Sequence, residues 1–137
     1  MEIKIPRKIY KSKKNIVYSC QYHVIFCPKF RRQILKEKIA ERLHELILDL
    51  QNENEFQVID IDIMPEHVHM ILDINPKIGI YHIVSHLKRY TAGILRKEFK
   101  DIRTKIPSMW TNSSFISTVG LMNLEDVRQY IVDQKGI

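Results

Sequence analysis

Hydrophobic residues recur along this chain with two different periods, and the changes of period mark out its elements. Residues 16–28, "IVYSCQYHVIFCP", are dense in β-branched and aromatic side chains and end at a proline, which predicts a strand. From Ile34 to about Asn52, Leu35, Ile39, Leu43, Leu46, Ile47 and Leu50 fall at helical spacing. Phe56 to Ile63 then alternates, with Ile59, Ile61 and Ile63 on one face and Asp60 and Asp62 on the other. Pro65 marks a turn, and His67 to Ile74 reads as the next strand, closed by Asn75-Pro76. A second amphipathic helix runs from about Gly79 to Phe99 on Ile83, Val84, Leu87, Ile94, Leu95 and Phe99. "IRTKIPSMWTNSS" reads as a loop and "FISTVG" as a short last strand. Asn123 can cap a final helix, with Glu125 and Asp126 in its first turn, running over residues 123–135 to the stop at Gly136.

The order β-α-β-β-α-β plus a terminal helix predicts an α+β, ferredoxin-like (RRM-like) domain. Its antiparallel sheet has both long helices on one face, and the other face is free for a site. At 137 residues the chain, 1–137, reads as one domain, with residues 1–15 a loose basic arm.

Strand alternation places His67 and His69 of "MPEHVHMIL" on one face and Val68, Met70 and Leu72 on the other. The apolar set must meet the helices, so the histidines are expected on the open face. A tight turn at Met64-Pro65 sets Asp62 across from His67 and Asp60 across from His69. Two imidazoles beside a carboxylate suit a divalent cation, with Asp62 as a further candidate ligand. By itself His-x-His is a common accident, and a third donor is required. His23, His44, His82 and His86 read as surface or boundary residues.

Composition adds a partner class. Lys and Arg number 22 against 16 acids, a balance of +6 that suits a polyanion such as nucleic acid. The cations gather in the arm, at Lys29, Arg31 and Arg32, and along the second helix at Lys88, Arg89, Arg96, Lys97 and Lys100. Cys20 and Cys27 suggest no disulfide framework or zinc spacing and read as small buried hydrophobes. No apolar run is long enough to span a bilayer and the first residues lack a signal-peptide apolar stretch, so no membrane partner and a cytoplasmic location are expected.

In the last predicted helix Tyr130 and Gln134 stand four apart and share a face, while Leu124, Val127 and Ile131 form the packing stripe. Together with the histidine pair, this resembles the HUH-type single-tyrosine transposases of the insertion-sequence 200/605 group. The resemblance covers nearly the whole chain: "YHVIFCPKFRRQIL", "MPEHVHMIL", "HLKRYTAGILRKEF" and "FISTVG" occur in that order. It departs at Glu66, where the group commonly has Asp, at Leu121, where a second glycine is frequent, and at Lys88-Arg89, where Lys-Gly is often seen.

The resemblance implies that His67, His69 and a glutamine matching Gln134 bind Mg²⁺ or Mn²⁺. It implies that Tyr130 attacks a single-stranded DNA phosphate, leaving a 5′-phosphotyrosine and a free 3′-OH. It also implies recognition of DNA hairpins at transposon ends and a homodimer with composite active sites. Two other readings compete: a noncatalytic single-stranded nucleic-acid-binding module on the same sheet, and a domesticated HUH nuclease. The expected open face carries Asp60, Asp62 and two imidazoles in place of an aromatic stacking pair, which favours the enzyme over the binding module.

Overall fold

A computed structural model describes residues 11–13, 16–51, 55–119 and 131–132 of the chain. Its main sheet has four antiparallel strands in the order β4-β5-β3-β6: β3 (Gln21–Phe26), β4 (Phe56–Met64), β5 (His67–Ile74) and β6 (Phe115–Thr118). Helix α1 (Glu37–Leu50) joins β3 to β4, and α2 (Ile80–Glu98) lies between β5 and β6. This is the βαββαβ arrangement the periodicities predict. Val24, Phe26, Val68, Met70, Leu72 and Ile74 from the sheet meet Leu43, Leu46 and Ile47 of α1 and Ile83, Val84, Leu87 and Leu95 of α2. One apolar face is thereby sealed by both helices, as the alternation requires.

Several details differ from the sequence reading. The first predicted strand is two: β2 (Ile16–Tyr18) pairs with β1 (Lys11–Lys13) as a separate hairpin, so the end of the basic arm is itself a strand. The break falls at Ser19-Cys20, where the Cys20 amide donates to Asp73 Oδ1 and its carbonyl accepts from Ile74. Helix α1 begins at Glu37, not Ile34, because Lys36 is extended and the Leu35 amide donates to the Pro65 carbonyl. Leu35 is buried all the same, so a core residue outside the helix mimicked helical spacing. In β4 the register shifts between Val58 and Asp60, so Phe56 and Val58, not Ile59, continue the core face of Ile61 and Ile63.

The predicted loop after α2 contains a short helix, α3 (Lys100–Lys105), and then pairs back onto the sheet. Lys29 donates to Met109 O and Thr111 to Cys27 O, and Trp110 is buried edge-on to Phe26 with its indole N–H donating to Thr91 Oγ1. Cys20 and Cys27 are free thiols, and burial pushes Cys27 up to about 11. Of the predicted terminal helix, Ile131 and Val132 are helical; the remainder lies outside the described residues. Among the described residues no helix is long and apolar enough to cross a membrane.

Candidate functional site

The face of the sheet turned away from the helices carries His67, His69, Ile71 and Asp73 from β5, with Gln21, His23 and Ile25 from β3. The histidines lie where alternation puts them, but the face is not open. His67 is 3% and His69 4% exposed, beside Ile25 at 0% and Ile71 at 1%. Gln21, His23 and Asp73 on the same face are buried too, so the imidazoles sit in an enclosed layer, which corrects the expectation of an open face.

The β4–β5 hairpin turns on Pro65-Glu66. Met64 therefore pairs with His67, Asp62 with His69 and Asp60 with Ile71. The expected register, with Asp62 opposite His67 and Asp60 opposite His69, is off by two residues because the turn is one step later than predicted. A shift of two preserves the face, so Asp62 remains beside the pair.

Neighbours set the state of each ring. His67 Nδ1 lies 2.9 Å from Glu66 Oε1. A carboxylate only accepts, so Nδ1 carries the hydrogen and Nε2 holds the lone pair. Among the described residues that Nε2 is buried with no hydrogen-bond partner. Burial lowers the His67 pKa, against the opposing pull of Glu66 and Asp62. His69 is driven down to about 4, first by burial and then by His23 and His67. Both rings are thus neutral at physiological pH, the form that ligates metals.

His23, read from sequence as a surface or boundary residue, belongs here instead. It is 4% exposed, and its Nδ1 lies 3.1 Å from His69 Nε2 with the rings stacked at 5.4 Å. Burial lowers its pKa as well. The available signal was its odd-numbered place on the strand, which shares a face with Ile25, but pairing with β5 is not visible without the sheet order.

An orphaned, buried imidazole lone pair oriented by a carboxylate, with a second imidazole two residues on and Asp62 on the adjacent strand, fits a divalent cation. Among the described residues no three His, Cys, Asp or Glu side chains are grouped to hold one. A further donor must complete the set. Tyr130 and Gln134 lie outside the described residues.

The basic candidates divide into two kinds. Arg32 and Arg89 are exposed, and Lys29 is half-buried with its ammonium 5.5 Å from the Phe30 ring. Arg31 donates to the Val132 carbonyl at 3.4 Å, joining the 29–32 turn to the C-terminal segment. Lys88 is engaged internally: its ammonium donates to Thr111 O, Ser113 O and Ser114 Oγ at 2.7, 3.1 and 3.1 Å. Burial lowers its pKa. Arg96 likewise donates to Ile106 O.

Residues 16–134 match the family described as transposase, IS200-like. The chain is 30% identical over 126 residues to the ISDra2 transposase of Deinococcus radiodurans, covering 90% of each. It is 26% identical to the transposase for insertion sequence element IS200 of Salmonella typhimurium, covering 90% of this chain and 82% of that one. A crystal structure of a candidate transposase from Deinococcus radiodurans R1 superposes with a TM-score of 0.82 at 27% identity, over 93% of this chain and 99% of that one.

Proposed function

The chain belongs to the IS200-like transposase family, and from that premise we propose that it cleaves and rejoins single-stranded DNA at the ends of an insertion element. The observation that carries this reading is the His67 Nε2 lone pair, buried, without a partner among the described residues, and flanked by His69 on the face opposite the helices.

Tyr130 is the nucleophile. Its phenolic oxygen attacks a backbone phosphorus, the bond to the 3′-oxygen breaks, and a 5′-phosphotyrosine and a free 3′-OH result. The phenolic proton is lost and the leaving oxygen gains one. A phenol with a pKa near 10 is a weak nucleophile at neutral pH, so placement against the phosphate is essential. One phosphoester replaces another, so a 3′-OH at a second end can reverse the step and join strands.

His67, His69 and Gln134, with Asp62 as a further ligand, would hold Mg²⁺ or Mn²⁺. Such an ion supplies polarisation of a nonbridging phosphate oxygen and offsets the charge that develops there. Glu66 keeps His67 in the tautomer whose Nε2 is available, and burial keeps both rings neutral. Lys29, Arg31, Arg32 and Arg89 contact phosphates, and the DNA partner is a strand folded into a hairpin near the element's end. Two chains assemble as a homodimer in which the histidines of one meet the tyrosine helix of the other.

Incubation with single-stranded end DNA and Mn²⁺ tests the reading. The expected product is a covalent protein–DNA adduct that disappears in Tyr130→Phe. Retained DNA binding with no adduct would instead indicate a noncatalytic binding module.

A further inference from the structure

We propose that Phe30 is a stacking platform for one base of the bound single strand, whose neighbouring phosphates are held by the flanking Lys29, Arg31 and Arg32. The assignment rests on the reading of the chain as a single-stranded DNA enzyme and adds a residue that engages the base, where the basic side chains engage only phosphate.

Phe30 is the most oddly placed aromatic among the described residues. Phe30 is 55% exposed, whereas Phe26 is 1% and Phe56 2% exposed; Tyr81 is exposed as well, at 79%, but on ordinary helical backbone in α2. The Phe30 backbone is left-handed, φ 58° and ψ 19°, followed by Arg31 at φ 51°. A bulky residue rarely adopts that conformation, which Gly and Asn accept far more readily. Among the described residues Phe30 lies outside the core and is largely exposed, so packing does not reward the conformation.

The surrounding backbone nonetheless fixes the turn. Lys29 donates to Met109 O at 2.9 Å, Arg31 to Pro28 O at 2.8 Å, and the Leu35 amide to Pro65 O at 3.0 Å. A strained, solvent-facing aromatic on an over-determined turn is the arrangement expected where a ligand makes use of the ring.

Charge and position identify that ligand. Phe30 lies between Lys29 and Arg31-Arg32, with the Lys29 ammonium 5.5 Å from its ring centre. Cations around an exposed π-face match a nucleotide, whose base stacks while its phosphates meet the charges. The turn also borders the candidate metal centre. It is joined through Leu35 to the Pro65-Glu66 corner, and Arg31 acts electrostatically on His67. A base seated on Phe30 would position the strand beside the phosphate to be attacked.

The test compares two probes at low salt, a short oligothymidylate and an abasic sugar-phosphate strand of the same length. The unmodified chain should bind the base-bearing strand about tenfold more tightly. Phe30→Asn should bind both alike while its melting temperature holds or rises, because Asn relieves the left-handed strain. Phe30→Trp should retain the preference. A Phe30→Asn variant that still prefers bases would overturn the assignment, as would an unmodified chain with equal affinity for both. Either result leaves the transposase reading standing, as does an unmodified chain that binds neither strand, which overturns the stacking assignment alone; the Tyr130 adduct on end DNA decides the transposase reading separately.

Discussion

His23 Nδ1 lies 3.1 Å from His69 Nε2, so a nitrogen of the second candidate ligand is already engaged by the imidazole of the adjacent strand. Both rings are held neutral by burial, so a single hydrogen lies between them. A cation that uses His69 Nε2 must displace this hydrogen bond. His67 Nε2, by contrast, has no partner to lose among the described residues. The pair is therefore asymmetric: one lone pair is ready and the other is occupied.

Removing the competitor should favour the cation. In His23→Phe, Mn²⁺ affinity measured by calorimetric titration should rise about fivefold, the worth of one hydrogen bond. Phe keeps a flat ring in the buried slot, and a melting curve would verify the fold. Weaker binding would instead make His23 a ligand.

Glu66 is one-fifth exposed and holds His67 through Nδ1. Glu66→Ala frees the ring to turn or change tautomer, so Mn²⁺ affinity should drop about 10- to 100-fold. Glu66→Asp, the residue common at this place in the group the chain resembles, should retain most of it. Equal binding by Glu66→Ala and the unmodified chain would show that the carboxylate does not orient the ring.

Lys88 and Arg32 should separate fold from affinity. Lys88 ties α2 to residues 111–114 just before β6, with its ammonium 5.6 Å from the Phe26 ring. Lys88→Ala leaves those acceptors without their donor and should cost about 1–3 kcal/mol, read as a lowered melting temperature. Arg32 is exposed, so Arg32→Ala should leave the melting temperature unchanged and flatten the salt dependence of DNA binding. A Lys88→Ala variant with unchanged stability and a reduced salt slope would return Lys88 to the DNA surface.

The homodimer proposal has its own measurement. His67→Ala and Tyr130→Phe chains are each expected to give no adduct. Mixed dimers, verified by differential tagging, should recover partial cleavage, because one composite site would then be intact. No recovery would place each tyrosine with the histidines of its own chain.

Local periodicity carried much of the fold, and what it missed depended on pairing between distant segments. The alternation in His67–Ile74 set the face of each histidine correctly, because a strand's period is independent of its neighbours. Neighbours decided the burial of that face, since Ile25 comes from β3 and its position beside His69 follows from sheet order alone. The same holds for His23. Ile59 was misassigned because a bulge inserts one residue without any mark in the alternating pattern. The Leu35 stretch looked helical because burial, not helix, explains its apolar character. Lys88 shows the limit for charge: a lysine on an amphipathic helix reads as part of a basic cluster for nucleic acid, and the loop that engages its ammonium is invisible until it is placed.

Acid should destabilise the protein in a defined window, and the sign follows from the buried imidazoles. His69 has an ordinary value of 6.5 and a folded value of about 4. Between those limits the unfolded chain binds a proton that the folded chain refuses, so stability increases with pH. The contribution is fully present above about pH 6.5 and is lost as pH falls toward 4. His67 and His23, both lowered by burial, act in the same direction. Asp73 works against them: burial raises its pKa, so its protonation in the folded state resists acid unfolding. One carboxyl opposes three imidazoles, and His69 alone accounts for about 2 kcal/mol at pH 5. The melting temperature should therefore drop by several degrees between about pH 7.5 and about pH 5. Saturating Mn²⁺ should deepen the dependence, because protons and the cation compete for the same nitrogens. A melting temperature that is flat across this range would mean that the imidazoles are hydrated and not enclosed.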